Sequence, residues 1–181
     1  MKKIFLVRHC EATGQPADSQ LTSKGFEQAT ELTDLLQKFE IKRVVSSPFV
    51  RAIQTIEPFC QKQHLSLETD IRLIERDLGL GIVDDWLDKY QATFEDFEMK
   101  YGEGESTREA LQRVLSVIEE ADSGSLLVSH GNLLSLVLMH YGDGDGFKYW
   151  EQLSNPDVFL LTLHEKKPKL ERLWRLYNGY L

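Results

Sequence analysis

Residues 4–13 read IFLVRHCEAT, four apolar side chains followed at once by Arg8, His9, Cys10 and Glu11. A short run such as Ile4-Phe5-Leu6-Val7 suits a strand covered on both faces. Charged groups packed into the end of a buried strand are costly unless that end is open. In open α/β sheets the carboxyl ends of the strands are where ligands bind. The stretch therefore predicts a central strand, Ile4–Arg8, whose end opens on a site.

The pattern repeats downstream. Arg43–Ser46 is a second short strand, ending on Ser46-Ser47-Pro48 ahead of Arg51. Ser125–Ser129 (SLLVS) is a third, ending on His130-Gly131. Between and after them lie helical patterns: Thr22–Phe39, with Ala29, Leu32, Leu35 and Leu36 on one face, then Phe49–Gln63 and Leu133–His140. Ser106 and Glu109 form a capping box that opens a helix running to Ala121. Leu67–Leu73 reads as extended, and Val158–Leu163 with Leu170–Leu176 as a terminal strand pair turned by Lys166–Lys169. Asp84–Tyr101 reads as a helical excursion packed by Trp86, Tyr90, Phe94 and Phe97. Strand and helix in alternation imply a three-layer α/β/α sandwich with a mostly parallel central sheet. The expected organisation is one domain over residues 1–181, with a small helical insertion at 84–101 over the site.

If the three strands are parallel neighbours, their ends bring two histidines and two arginines to one crevice. Arginine presents a planar fork of donors suited to phosphate oxygens. A helix beginning after His130 would add backbone donors and a partial positive charge. Such a pocket is built for a dianion.

The composition narrows the classes. With 181 residues, 41% hydrophobic and 28% charged, the chain is an ordinary globular protein. A formal net charge of −8 argues against a nonspecific nucleic-acid or anionic-membrane surface. The apolar run after Lys2-Lys3 is too short for a secretory signal, and no stretch reaches a membrane-spanning length. Cys10 and Cys60 make neither a disulfide framework nor a metal pair, and His64, His140 and His164 show no ligand spacing. The expectation is a cytoplasmic protein with free thiols, no metal, no cofactor and no nucleic-acid or membrane partner. The sequence does not set an oligomeric state.

LVRHCEAT with Gln15, then LTSKGFEQA, SSPFVRAIQT, RLIE, GEST and LLVSHGN, in that order, resemble the histidine phosphatase superfamily, the phosphoglycerate-mutase-like family, on its phosphatase branch. The resemblance implies a metal-independent phosphomonoesterase acting on a small phosphorylated metabolite through a phosphohistidine. By matching position, His9 would be the nucleophile. Arg8, Arg51 and His130 would clamp the phosphoryl oxygens, and His130 would serve best as a cation. Glu75 would protonate the leaving oxygen and help activate water. Gln15 falls where the family usually has a phosphate-touching asparagine.

Two departures matter. Cys10 stands where the family usually has glycine. It reads as a small buried residue pointing away from the site, against the alternative of a reactive thiol. RDLGLGIVDDW, after Glu75, departs from the Gly-x-Trp-Glu-Gly type of pattern, so the leaving-group side is the least determined. Asp84–Tyr101 carries only Lys89 and Lys100 as cations, and an acidic cover repels a second phosphate. That favours a phosphatase over a phosphoglycerate mutase. A phospho-ligand binding protein would need the clamp but neither nucleophile nor acid.

Overall fold

A computed structural model describes residues 1–81, 83–164 and 166–174. Six strands form one sheet: β1 (Lys2–Arg8), β2 (Arg43–Ser46), β3 (Leu67–Thr69), β4 (Ser125–Ser129), β5 (Asp157–Leu163) and β6 (Lys169–Arg172). Their order is β3-β2-β4-β1-β5-β6. β3, β2, β4 and β1 run parallel, whereas β5 and β6 are antiparallel additions at one edge. Val7 pairs with Val128 and Arg8 with Ser129, so β1 and β4 finish level. Ser46 pairs with Val128, which brings the end of β2 to the same rim.

The side chains of β1 alternate between two cores, as the two-residue period of a strand demands. Phe5 and Val7 belong to a cluster with Ala29, Leu32, Leu36, Ala52, Ile56 and Phe59, from α1 (Ser23–Leu36) and α2 (Val50–Gln63). Ile4 and Leu6 belong to another with Val114, Ile118, Leu133 and Leu136, from α4 (Thr107–Glu120) and α5 (Gly131–Tyr141). Helices on both faces of a mostly parallel sheet make the three layers expected from the sequence. α3 (Trp86–Glu95) and α6 (Gly146–Gln152) pack on one another through aromatic rings.

Several expected elements are shorter than their patterns. The 84–101 excursion is helical only over α3, because Asp96 turns extended and its side chain accepts from Glu98 N–H. Leu67–Leu73 splits into β3 and a 3-10 turn, Ile71–Leu73, where the Asp70 carboxylate captures the Arg72 N–H. α1 stops at Leu36, so Gln37, Lys38 and Phe39 lie beyond it. The last strand ends at Arg172, and the expected residues Arg175 and Leu176 lie outside the described residues. The capping box is formed as read, with Ser106 accepting from Glu109 N–H and the Glu109 carboxylate from Ser106 N–H. α6 was not foreseen, although Asp145 caps it. No described helix is long and apolar enough to cross a membrane.

Candidate active site

The sheet register gathers the site. Where β1 ends, His9 N–H donates to the Ser129 carbonyl at 3.1 Å. Where β2 ends, Ser47 N–H donates to Val128 O at 2.9 Å. These bonds pull the loops after β1 and β2 onto β4, whose own continuation is His130. The His9 and His130 rings lie 5.1 Å apart, edge to face. The Asn155 side-chain amide donates to the His9 carbonyl at 2.8 Å, closing the loop from the β5 side.

The His9 ring is held at both nitrogens. Nδ1 lies 2.7 Å from the Cys10 carbonyl, which can only accept, so Nδ1 carries the proton and Nε2 a lone pair. Arg51 Nε donates to that lone pair at 3.2 Å. The Arg51 Nη1 group is anchored on the Gln15 and Pro16 carbonyls at 2.9 and 2.8 Å. The Thr55 hydroxyl joins the two residues from below, accepting from Cys10 N–H and donating to Arg51 O. Burial, with Arg51 and Arg8 adding to it, pulls His9 down to about 3, against the opposing bond to Cys10. The ring is neutral at every ordinary pH.

His130 departs from expectation. Burial foremost, then His9, Arg51, Arg8 and Arg113, hold it well below the usual histidine range. It is therefore neutral here and not the cation the sequence suggested, because its burial disfavours the charged form and the neighbouring guanidinium groups add to that. Its Nε2 lies 2.7 Å from Ser47 Oγ, and its buried Nδ1 has no partner. Arg8 sends Nη1 to the Leu153 carbonyl at 3.0 Å, while its buried Nε is also unpartnered. Gly131 lets Arg8 pack closely, since a Cβ there would stand 3.0 Å from the guanidinium and press on it.

The start of α5 is also used differently from the expectation. Asn132 N–H and Leu133 N–H donate to Glu75 at 3.0 and 2.9 Å, and Arg76 N–H adds a third bond at 2.9 Å. A side-chain carboxylate, not an incoming anion, takes the helix N-terminus. Glu75 is thereby fixed beside the two histidines, and the donors left for a ligand are side chains.

Arg8, His9, Gln15 and Glu75 line one cleft of about 520 Å³. Arg51 and His130 are buried next to the His9 ring. The Gln15 side chain is exposed at the rim, and only its carbonyl is engaged, by Arg51. Cys10 points into the core, its thiol pushed up to about 12 by burial, which removes the reactive-thiol alternative. The segment after Glu75 and the 84–101 excursion do line the cleft, through Leu78, Leu80, Trp86 and Tyr90, whereas the reading of the sequence did not name Asn155, Arg76, Asn132 or Trp150 as site residues. The Asn155-Pro156 turn before β5 was a visible signal for the first; Trp150 had none without α6. Among the described residues, no group of three or more His, Cys, Asp or Glu side chains is arranged to hold a metal ion.

The sequence profile described as the histidine phosphatase superfamily (branch 1) matches residues 4–175. Phosphoserine phosphatase 1 of Hydrogenobacter thermophilus is 27% identical over 155 residues, covering 77% of this chain and 71% of that protein. A probable phosphoglycerate mutase, GpmB, of Shigella dysenteriae is 29% identical over 161 residues, covering 76% and 74%. Among solved structures, a mycobacterial glucosyl-3-phosphoglycerate phosphatase with inorganic phosphate superposes with a TM-score of 0.77. It is 22% identical, and each chain is covered to 95%.

Proposed function

The chain belongs to the histidine phosphatase superfamily, and from that premise we propose that it hydrolyses a small phosphomonoester through a phosphohistidine on His9. The observation that carries the reading is the His9 ring: Nδ1 is committed to a carbonyl, and Nε2 offers its lone pair among buried donors.

In the first step Nε2 attacks phosphorus as the bond to the leaving oxygen breaks. Arg51 Nε moves from Nε2 to a phosphoryl oxygen. Arg8 Nε donates to another, and so does His130 Nδ1, with the Ser47 hydroxyl donating to His130 Nε2. A bound dianion also favours protonation of His130; the Ser47 bond then reverses, with Nε2 donating to the hydroxyl oxygen, and the cationic role is restored in the complex. Gln15 reaches in from the rim with its amide. Protonated Glu75 gives its proton to the departing alkoxide; Oε2, which accepts a single backbone bond, has a lone pair to spare. In the second step water attacks phosphorus, the N–P bond breaks, and Glu75 takes the water's proton back.

Hydrolysis is favoured over transfer between hydroxyls by the charge of the cleft. Its lining cations besides the clamp reduce, among the described residues, to Arg76. All three Arg76 nitrogens donate away, to the Glu105 carbonyl and the Thr93 hydroxyl. Lys89 and Lys100 pair with Asp85 and Glu109. Among the described residues that line the cleft, no cation beyond the clamp is free to hold the second phosphate of a bisphosphorylated intermediate.

The test is phosphate release from a panel of phosphomonoesters in chelator, with acid-labile, base-stable labelling of the protein. Both disappear in His9→Ala, whose residual rate falls at least about 10³-fold. Release that survives in the variant removes His9 as nucleophile. Isomerisation of phosphoglycerate without release makes the chain a mutase.

A further inference from the structure

We propose that the leaving group of the substrate carries a flat ring and no negative charge. This rests on the hydrolase reading and extends it to the alcohol side of the cleft. The wall facing that side is aromatic. Trp86 and Trp150 lie edge to face at 5.9 Å, and Tyr90 packs edge to face on Trp150 at 5.1 Å. Trp86 is 43% exposed and Trp150 half-buried, yet both line the cleft, as do Leu78 and Leu80. Indole surface left uncovered beside a reaction centre is binding surface for a ring, which prefers edge-to-face or offset contacts of this spacing.

The wall is tied to the chemistry through α5. Glu75 sits on Asn132 and Leu133 N–H, and the Tyr90 hydroxyl meets Ser135 Oγ at 3.4 Å, one turn further along the same helix. A rise of about 4.5 Å over three residues separates the two anchor points. The acid and the aromatic wall are thus held by neighbouring turns of one helix, and charge decides between a ring and a glyceryl chain as the leaving group.

The acids of the cleft are Glu11, Glu75 and Asp77, and neither Glu11 nor Asp77 pairs with a cation that lines it. Glu11 bonds Lys24 and the Thr22 hydroxyl outside; Asp77 accepts from Gly79 N–H. Arg76, the remaining cation, is 3% exposed and turned onto Glu105 O and Thr93. A carboxylate on the leaving group meets like charge and, among the described residues that line the cleft, no free cation beyond the phosphate clamp, whereas a neutral or cationic ring meets aromatic faces.

Three phosphomonoesters of primary alcohols with nearly matched leaving-group acidity decide the matter: 2-phenylethyl phosphate, butyl phosphate and 3-phosphooxypropionate. Expected in kcat/KM is a preference of about ten-fold for the ring ester over the butyl ester, as two ring contacts allow. The carboxylate ester is the poorest. The preference falls toward one in Trp86→Ala, which alters a half-exposed side chain at the start of α3, and is kept in Trp86→Phe. His9-dependent turnover that is indifferent to the ring, or fastest with the carboxylate, overturns this inference alone. Absence of turnover and of phosphohistidine overturns the hydrolase reading and this inference with it.

Discussion

The floor and the wall of the cleft are built by opposite means. The floor, at the ends of β1, β2 and β4, holds its polar groups by burial: His9 is 8% exposed, Arg51 1% and His130 0%. Each is fixed by a bond to a carbonyl or hydroxyl in the loops that follow β1 and β2. The wall, from Leu78 through α3 and α6, is held by ring contacts, two left-handed glycines and ion pairs in solvent. A common reaction needs invariant geometry where phosphorus sits, and a particular substrate needs a surface that can be changed without disturbing it. The difference predicts that floor variants lose rate and wall variants lose selectivity or a little stability.

The largest effect belongs to Arg51→Ala. Arg51 joins the Gln15–Pro16 turn to His9 Nε2, and in the proposed reaction it follows the phosphoryl group. Its loss should lower kcat by about 10³-fold, the scale of a lost transition-state donor. Desolvation remains the first cause of the depressed His9, so the ring should stay neutral when titrated by NMR in the variant. A rate within ten-fold of wild type would break the contrast at its strongest point.

This floor was largely legible in the residues. Ile4–Val7, Arg43–Ser46 and Ser125–Ser129 are short apolar runs ending on polar groups, and the parallel sheet aligns those ends. Period-two burial, capping and strand-end chemistry are local signals. What stayed hidden depends on partners distant in sequence. That Glu75 would take the α5 N-terminus is invisible without the fold, since 57 residues separate it from Asn132. The neutral state of His130 follows from packing depth, which the motif alone does not carry. Trp150 reaches the cleft only because α6 folds back onto α3.

Next in size is Gly79→Ala in the wall. Gly79 adopts φ +66, and a Cβ there would run into the Tyr101 carbonyl and stand 2.6 Å from Gly104 N. Gly104 presses back, its own Cβ position 2.5 Å from Gly79 N, and Glu105 N–H donates to Asp77 O at 2.8 Å. The substitution should cost about 1–3 kcal/mol through strain and displacement of the 77–81 segment. Urea unfolding measures the cost, and KM should rise more than kcat falls. A fall in kcat with KM unchanged would mean that the segment supports the transition state.

The acid limb of stability separates the regions by sign. A histidine depressed to about 3 in the folded protein binds its proton first in the unfolded chain. Stability is then complete above the unfolded value and is lost as pH falls from about 6.5 toward 3, by roughly 1.4 kcal/mol per pH unit for each such histidine. His9→Asn should flatten the loss between pH 6 and 4 by one histidine's share. Among the described residues the buried histidines are His9 and His130, and both belong to the floor. A parallel loss in variant and wild type would show that His9 is not buried neutral.

The smallest effect is Lys100→Ala, and it sharpens the comparison because its partner serves two purposes. Lys100 Nζ lies 2.9 Å from Glu109, with the side chains 44% and 50% exposed. Such a pair in solvent contributes little to stability. Glu109 also closes the capping box at the start of α4, accepting Ser106 N–H at 2.9 Å. Glu109→Ala removes the pair and that cap bond together and should cost about 1 kcal/mol. The double variant should match Glu109→Ala within about 0.3 kcal/mol in thermal unfolding, because Lys100 has lost its partner in both. If Lys100→Ala alone cost as much as Glu109→Ala, the ion pair would be fixing the cap, and this part of the wall would be as rigidly held as the floor.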